Sequence, residues 1–396
     1  MNRFHSPHAD MEQEMSRLLS WWHTRMTDLR GGFFGRIDGQ GILHPKAEKG
    51  CVLNARILWA FSAAARYTNR YEYLESAQRA FHYLRDYFWD ELYGGVFWSV
   101  DEHGVPLQTH KQVYAQAFAQ YAFAEYYLLT RRQESLDLAV EIFHLLEKNA
   151  LDTRHNGYFE AFSREWQPVE EWRLSDKDAN EAKSQNTHLH VLESYTHLFR
   201  ILPSDNIRKA LQNLVDLFVQ RFIDPQTGHI GLFFDEKWTL KSSGISFGHD
   251  IEASWLLWEA ASLLDIPNIK ELCLLIAETT LREAVQSDGS LLNERNLQTG
   301  HTDAARVWWV QAEAMVGFYN AFQLSGDYRF LHAAHQIWHY ITQHLIDQNG
   351  GEWYWQIHPD GTPDIIQDKA GFWKCPYHNV RALLEILKRS GQLERH

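Results

Sequence analysis

The chain has 396 residues, 51 acidic and 38 basic, for a formal net charge of −13. With both signs interspersed, that balance excludes the concentrated basic face of a nucleic-acid binder, and no apolar run approaches the roughly 20 residues that span a bilayer. The opening MNRFHSPHAD lacks the apolar stretch of a secretion signal, and Cys51, Cys273 and Cys375 have no metal-like spacing. A soluble cytoplasmic protein is expected. With only 10 prolines and no Pro/Gly/Ser-rich linker, residues 1–396 read as one catalytic domain. The 16 Trp, 17 Tyr and 22 Phe supply core, and they also suit sugar, whose C–H faces stack on aromatic rings.

A motif of an Asp, a Gly-containing turn and, often, aromatics recurs along the chain. It starts at Asp28 (DLRGGFFGRID), Asp90 (DELYGGVFWSVD), Asp152 (DTRHNGYFEAF), Asp224 (DPQTGHIGLFFDE), Asp288 (DGSLLNE) and Asp347 (DQNGGEWYWQI), at intervals of 62, 62, 72, 64 and 59 residues. Such periodicity marks a repeated supersecondary unit. Between copies, VLNARILWAFSAAARY and VYAQAFAQYAFAEYYLL are apolar on nearly every side, as buried helices are, whereas YLESAQRAFHYLRDYF is amphipathic. Six units of buried helix, half-buried helix and short β-like turn predict an all-α fold, an (α/α)6 barrel of twelve helices. An open solenoid would need polar end caps, which the sequence lacks.

In such a barrel the N-termini of the inner helices gather at one end. Their starts read, in order, Asn54-Ala-Arg56, Tyr114-Ala-Gln116, Asn186-Thr-His-Leu-His190, His249-Asp-Ile-Glu252, Trp309-Val-Gln311-Ala-Glu313 and, after Pro376, His378-Asn379-Val-Arg381. Asn186, Thr187 and Asp250 are candidate caps, and Pro376 suits a first helical position. Capping does not require Arg56, Glu313 or three histidines, so the starts predict a site. Six helix N-termini supply a positive field that favours an anionic intermediate and lowers a histidine pKa. Glu252, at i+3 from His249, is placed to orient that imidazole. His188 and His190 point about 200° apart on a helix; His190 is taken as the functional one and His188 as structural. The remaining histidines, among them those of HSPH and His396, are assigned to the surface.

KGCVLNARILWAFSAA, KSQNTHLHVLESYTHL, ISFGHDIEASWLLWEAA, VWWVQAEAMVGFYNA and DKAGFWKCPYHNVRALLEI together resemble the cellobiose 2-epimerases of the N-acylglucosamine 2-epimerase superfamily, from about Gly31 to the last helix. The resemblance implies a cofactor-free enzyme that inverts C2 of the reducing-end aldose of β-1,4-linked disaccharides: cellobiose to glucosyl-mannose, and also lactose or mannobiose. It implies that His249 and His378 are the acid/base pair with Glu252 beside the former, that Arg56 and His190 surround O1 and O2, and that Trp309 and Trp373 hold the sugar rings. Tyr114, Asn186 and Asp178 fall in matching pocket segments, and Glu313 is counted with the substrate-binding set. Gln185 stands where Met is expected and Cys375 where Gly is common, which leaves substrate size open. The expected mechanism opens the ring and moves the C2 proton through a cis-enediolate between two histidines.

Three other readings stand beside it: a monosaccharide (mannose/glucose) 2-epimerase, an aldose–ketose isomerase, and an (α/α)6 glycoside hydrolase using Glu252 and Glu313. A metal at His188 and His190 is disfavoured because the rings diverge, so no metal is expected. The partner expected is a small sugar, with no nucleic acid or membrane, and a monomer is favoured.

Overall fold

The computed structural model describes residues 7–393. Each Asp motif folds as a tight hairpin. The residue just before the Asp, or three before it in the Asp288 copy, forms an antiparallel bridge beyond the turn: Thr27 to Phe33, Trp89 to Val96, Leu151 to Tyr158, Ile223 to Ile230, Val285 to Leu291 and Ile346 to Trp353. In four of the six copies the Asp itself reaches a lysine ahead of the next inner helix. Lys49 Nζ lies 2.9 Å from Asp28, Lys111 3.0 Å from Asp90 and Lys183 2.7 Å from Asp152, and Lys369 pairs with Asp347. Each ammonium also sits over a ring, Tyr83, Phe97, Trp238 and Tyr354 respectively, so its charge is doubly compensated in a dry place.

Twelve α-helices lie among the described residues: α1 Pro7–Met26, α2 Cys51–Thr68, α3 Tyr71–Tyr83, α4 Val113–Thr130, α5 Gln133–Leu145, α6 Gln185–Ile201, α7 Asp205–Leu217, α8 Phe247–Leu263, α9 Ile269–Ala284, α10 Trp308–Ser325, α11 Tyr328–Tyr340 and α12 His378–Leu393. The even-numbered helices form the inner ring: α2 packs on α4, α4 on α6, α6 on α8, α8 on α10, α10 on α12 and α12 back on α2. The expected (α/α)6 barrel is therefore present. Residues 7–26 were not assigned from the sequence. They form the outer partner of α12 and complete the outer layer with Met11, Met15, Leu18, Leu19 and Trp22 buried.

Inner and outer helices differ as their sequences require. In α4 every residue from Val113 to Tyr126 is buried. In α7 the buried set Ile207, Ala210, Leu211, Leu214 and Val215 repeats at helical spacing. Four outer helices (α3, α5, α7 and α11) end in a five-residue π-helical turn, at 84–88, 146–150, 218–222 and 341–345. Among the described residues no helix is long and apolar enough to cross a membrane.

The expected caps are corrected. Ser184, not Asn186 or Thr187, caps α6 by accepting from Thr187 N–H. Pro376 lies just outside α12, because Tyr377 C=O accepts the first helical bond from Arg381 N–H. Asp250 serves a different purpose, shared by the fourth position of the inner helices. Gln116 bonds both backbone groups of Val96, and Gln311 both of Leu291. His188 Nε2 accepts from Tyr158 N–H, and Asp250 accepts from Ile230 N–H. In each case the helix grips the hairpin of the preceding motif, satisfying backbone groups that the turn would otherwise bury unpaired. Part of the polar recurrence at the helix starts is thus scaffolding.

Candidate active site

Counted from the first residue of each inner helix (from Pro376 for α12), the sixth position holds Arg56, Phe118, His190, Glu252, Glu313 and Arg381. This ring faces the barrel axis, two residues past the hairpin clamps. Above it lies a cleft of about 520 Å³ lined by Arg56, Tyr114, Asn186, His190, His249, Glu252, Trp309, Trp373 and His378. Asp178 reaches the cleft from the segment 174–178, where its carboxylate accepts from Ser175 Oγ at 2.8 Å. The aromatic wall is wider than expected, with Trp308, Trp355 and Phe372 also on it.

Arg56 is buried. It donates to Tyr114 Oη at 2.7 Å and toward Cys375 Sγ at 3.7 Å, and its guanidinium lies 4.1 Å from the Phe118 ring centre. Burial opposes its charge, but Tyr114, Cys375 and Tyr377 outweigh that and hold it cationic. The Cys375 thiol also contacts Trp373 C=O, so the residue that departs from the family pattern links the cationic wall to an aromatic one. The other departure, Gln185, is fully buried with neither amide atom bonded and does not reach the cleft.

His249 and His378 both pack against Trp309, with ring centres 4.9 and 5.6 Å from it. Burial, then the charge of His190, drives the His249 pKa down to about 3. Burial, with Arg56 and Arg381 nearby, drives His378 well below its ordinary value. His378 Nδ1 donates to Glu313 Oε1 at 2.6 Å, which leaves Nε2 as its unprotonated nitrogen. His249 Nδ1 has no protein partner.

Below the histidines, Arg381 ties three carboxylates together. Its Nη2 lies 2.5 Å from Glu252 and 2.6 Å from Glu313, and its Nη1 bonds Glu193 and Tyr377 Oη. Glu193 also accepts from His190 Nδ1 at 2.9 Å and from Tyr377 Oη at 2.6 Å. Burial would raise Glu193, but Arg381 and His190 overcome it and hold the carboxyl down to about 2. Glu252, where burial and Glu313 act together, is pushed up to about 7. Glu252, Glu313 and His378 could each turn one ligand atom toward a shared cation, all within 4.8 Å, but the Arg381 guanidinium already bridges the two carboxylates.

A family model described as N-acylglucosamine 2-epimerase (GlcNAc 2-epimerase) matches residues 32–382. A cellobiose 2-epimerase of Bacteroides fragilis is 47% identical over 96% of this chain and 98% of its own length. The chain belongs to the cellobiose 2-epimerase family. This epimerase is also 39% identical to a cellobiose 2-epimerase of Dictyoglomus turgidum, over 94% of this chain and 96% of the relative. The solved cellobiose 2-epimerase of Bacillus thermoamylovorans superposes with a TM-score of 0.93 at 39% identity, covering 96% of this chain and 99% of that one. A GH76 α-mannanase of Bacteroides thetaiotaomicron, at 10% identity and TM-score 0.67, shares the fold alone. The epimerase is thus a carbohydrate 2-epimerase, an isomerase-class enzyme.

Several expectations need correcting on this geometry. Glu252 does not hold His249; it bonds Arg381, and its nearest imidazole nitrogen is His378 Nδ1 at 4.0 Å. The i,i+3 His–carboxylate pair predicted there occurs one unit earlier, at His190 and Glu193. Glu313 is fully buried behind His378 and does not line the cleft, so it is no substrate ligand. For the same reason Glu252 and Glu313, bridged by one guanidinium, cannot flank a glycosidic bond as a hydrolase requires. His188 has both ring nitrogens engaged, with Ser184 C=O and Tyr158 N–H, and so has no lone pair for a metal. His197 and His229 are buried, not on the surface, paired with Glu125 and Asp250; His8 is half-buried, and His5 and His396 lie outside the described residues.

Proposed function

We propose that this epimerase inverts C2 of the reducing-end aldose of β-1,4-linked disaccharides, cellobiose among them, in the cytoplasm and as one catalytic domain, with His249 and His378 as the acid/base pair and no added cofactor. The observation that carries the reading is the pair of low-pKa imidazoles, His378 buried and His249 half-buried, set against one indole. Each is a neutral base in the free enzyme. After ring opening, one takes the C2 proton; the other, neutral in the free enzyme, takes up a solvent proton against the enediolate charge and delivers it to the opposite face, while the first releases its proton to solvent, an inversion that a single base on one face cannot achieve. The enediolate charge stabilises whichever histidine is then protonated, and Glu313 does the same for His378. Arg56 and His190 are placed to meet the enediolate oxygens, a contribution of about 3–4 kcal/mol for a well-aimed donor. Trp309 and Trp373, with Trp355 and Phe372 beside them, offer more stacking surface than one hexose covers, which supports a disaccharide.

The test is proton NMR of the enzyme in D2O, with cellobiose in one sample and mannose in another. A mannosyl reducing end deuterated at C2 is expected from cellobiose. Glucose formed from mannose with cellobiose untouched would replace the disaccharide by a monosaccharide, and ketose signals would replace epimerisation by isomerisation.

A further inference from the structure

A second concavity, of about 990 Å³, opens on the outside of the barrel between α5, α7, the hairpin turn at 151–156 and the π-helical turn at 218–222. It shares no residue with the catalytic cleft. On its rim stand Arg154, Lys209, Arg221 and Lys237, all exposed. Among the described residues, none of the four has a carboxylate within the 4.0 Å of an ion pair or any side-chain hydrogen bond. The two carboxylates in the wall are engaged elsewhere. Asp152 holds Lys183 and the N–H groups of Arg154 and His155, and Glu147 accepts from the hydroxyls of Tyr158 and Tyr195 at 2.6 and 2.8 Å.

The internal repeat shows that the frame does not demand these cations. The fifth residue of the outer helix is Glu75 in α3, Asp137 in α5 and His332 in α11, but Lys209 in α7. The fourth residue of the π-helical turn is Tyr87, Asn149 and His344 in the other units, but Arg221 here. The matching groove beside α3 has no such excess, with Arg79 set among Glu75 and Asp86. Of the four units compared, it is the α7 unit that gathers unpaired cations at these positions, on a chain whose net charge is −13. Like charges on one rim repel one another unless an anion sits between them.

We infer that this groove is a binding site for a compact polyvalent anion carrying two or more phosphate or carboxylate groups. Arg154 and Arg221 offer forked donors, Lys209 and Lys237 point charges, Asn206 an unengaged amide, and Trp238 an apolar floor. The volume falls in the range of small-molecule sites, roughly 300–1,000 Å³. The inference does not depend on which sugar the catalytic cleft takes.

The experiment is isothermal titration of the full chain with inorganic pyrophosphate at low salt, and in parallel with citrate. Saturable one-site binding is expected, weakened at least tenfold in Lys209→Glu/Arg221→Glu and in Arg154→Ala/Lys237→Ala, with sugar turnover unchanged in both. Tighter pyrophosphate assigns the phosphate class, tighter citrate the carboxylate class. Absence of saturable binding up to millimolar anion overturns the site. So does binding undiminished in both folded double variants, which would mean an adventitious ion only.

Discussion

Replacing Glu313 by Gln probes the site without touching the cleft. The carboxylate accepts from His378 Nδ1 at 2.6 Å, Arg381 Nη2 at 2.6 Å and Trp255 Nε1 at 3.2 Å. An amide of the same shape keeps one acceptor oxygen for three donors and brings its own N–H groups against them. The charge-assisted bond to His378 contributes about 1.5–3 kcal/mol, and it strengthens when His378 carries the transferred proton, so the loss falls on the transition state. At about 1.4 kcal/mol per tenfold, kcat should drop roughly 10–100-fold. KM should change little, because Glu313 does not line the cleft. Glu193 and Glu252 still hold Arg381, so the fold should survive. The assay is initial-rate NMR with cellobiose across a pH series, with thermal melting in parallel. A kcat within threefold of the parent, or a fall that only follows a loss of folded protein, would refute a positioning role for Glu313.

Other perturbations test separate parts of the structure. His249→Ala and His378→Ala should each abolish nearly all turnover with melting retained, and near-normal rates in either would reject the two-base scheme. Gly248→Ala places a Cβ 2.5 Å from Trp309 Cη2 and 2.8 Å from Val310 Cγ2; overpacking of that kind costs about 1–3 kcal/mol, so KM should rise as Trp309 shifts, and unchanged KM and melting would contradict the contact. Lys111→Ala leaves Asp90 buried with only Arg164 as a cationic partner, and should cost about 3 kcal/mol in denaturant unfolding; a change below about 1 kcal/mol would show the pair to be dispensable. The same carboxylate sets an acid limit. Burial opposes the Asp90 charge, but Arg164 and Lys111 hold its pKa down to about 2 against an ordinary value of 3.8. Its contribution to stability is therefore complete above the unfolded value and lost as pH falls through the folded one, a loss that acid titration of Asp90→Asn should not show.

The Asp motifs and the alternation of buried and amphipathic helices were enough to read the barrel, because burial and period leave a direct mark on sequence. Gly248-His249-Asp250 shows where such reading stops. The Gly admits Trp309, the His lines the cleft and the Asp grips the hairpin at Ile230, three separate duties in consecutive residues of one turn. Position along a helix could say that these residues recur; it could not say which point to the axis and which to the neighbouring turn. The pairing of Glu252 failed for the same reason, since Arg381 from a helix 129 residues away competes for its carboxylate. Arg381, Glu193 and Tyr377 were missed as a network. The available signal was the sixth-position register, which lines up Arg56, His190, Glu252, Glu313 and Arg381 once the helix starts are known. Residues 7–26 went unassigned because an outer helix that precedes the first motif has no earlier copy to be compared with.

That helix has a kinetic consequence. Glu14 accepts from Trp353 Nε1, and Trp22 donates to Glu352, across 339 and 330 residues of chain. Such contacts can form only after almost the whole polypeptide has been ordered, since loop-closure entropy has to be met before they contribute. The seam between α1 and the Asp347 hairpin that precedes α12 should therefore close last in folding. Hydrogen exchange should find it opening first, ahead of the Lys–Asp hairpins at Asp28, Asp90 and Asp152, each completed within about thirty residues of its own sequence.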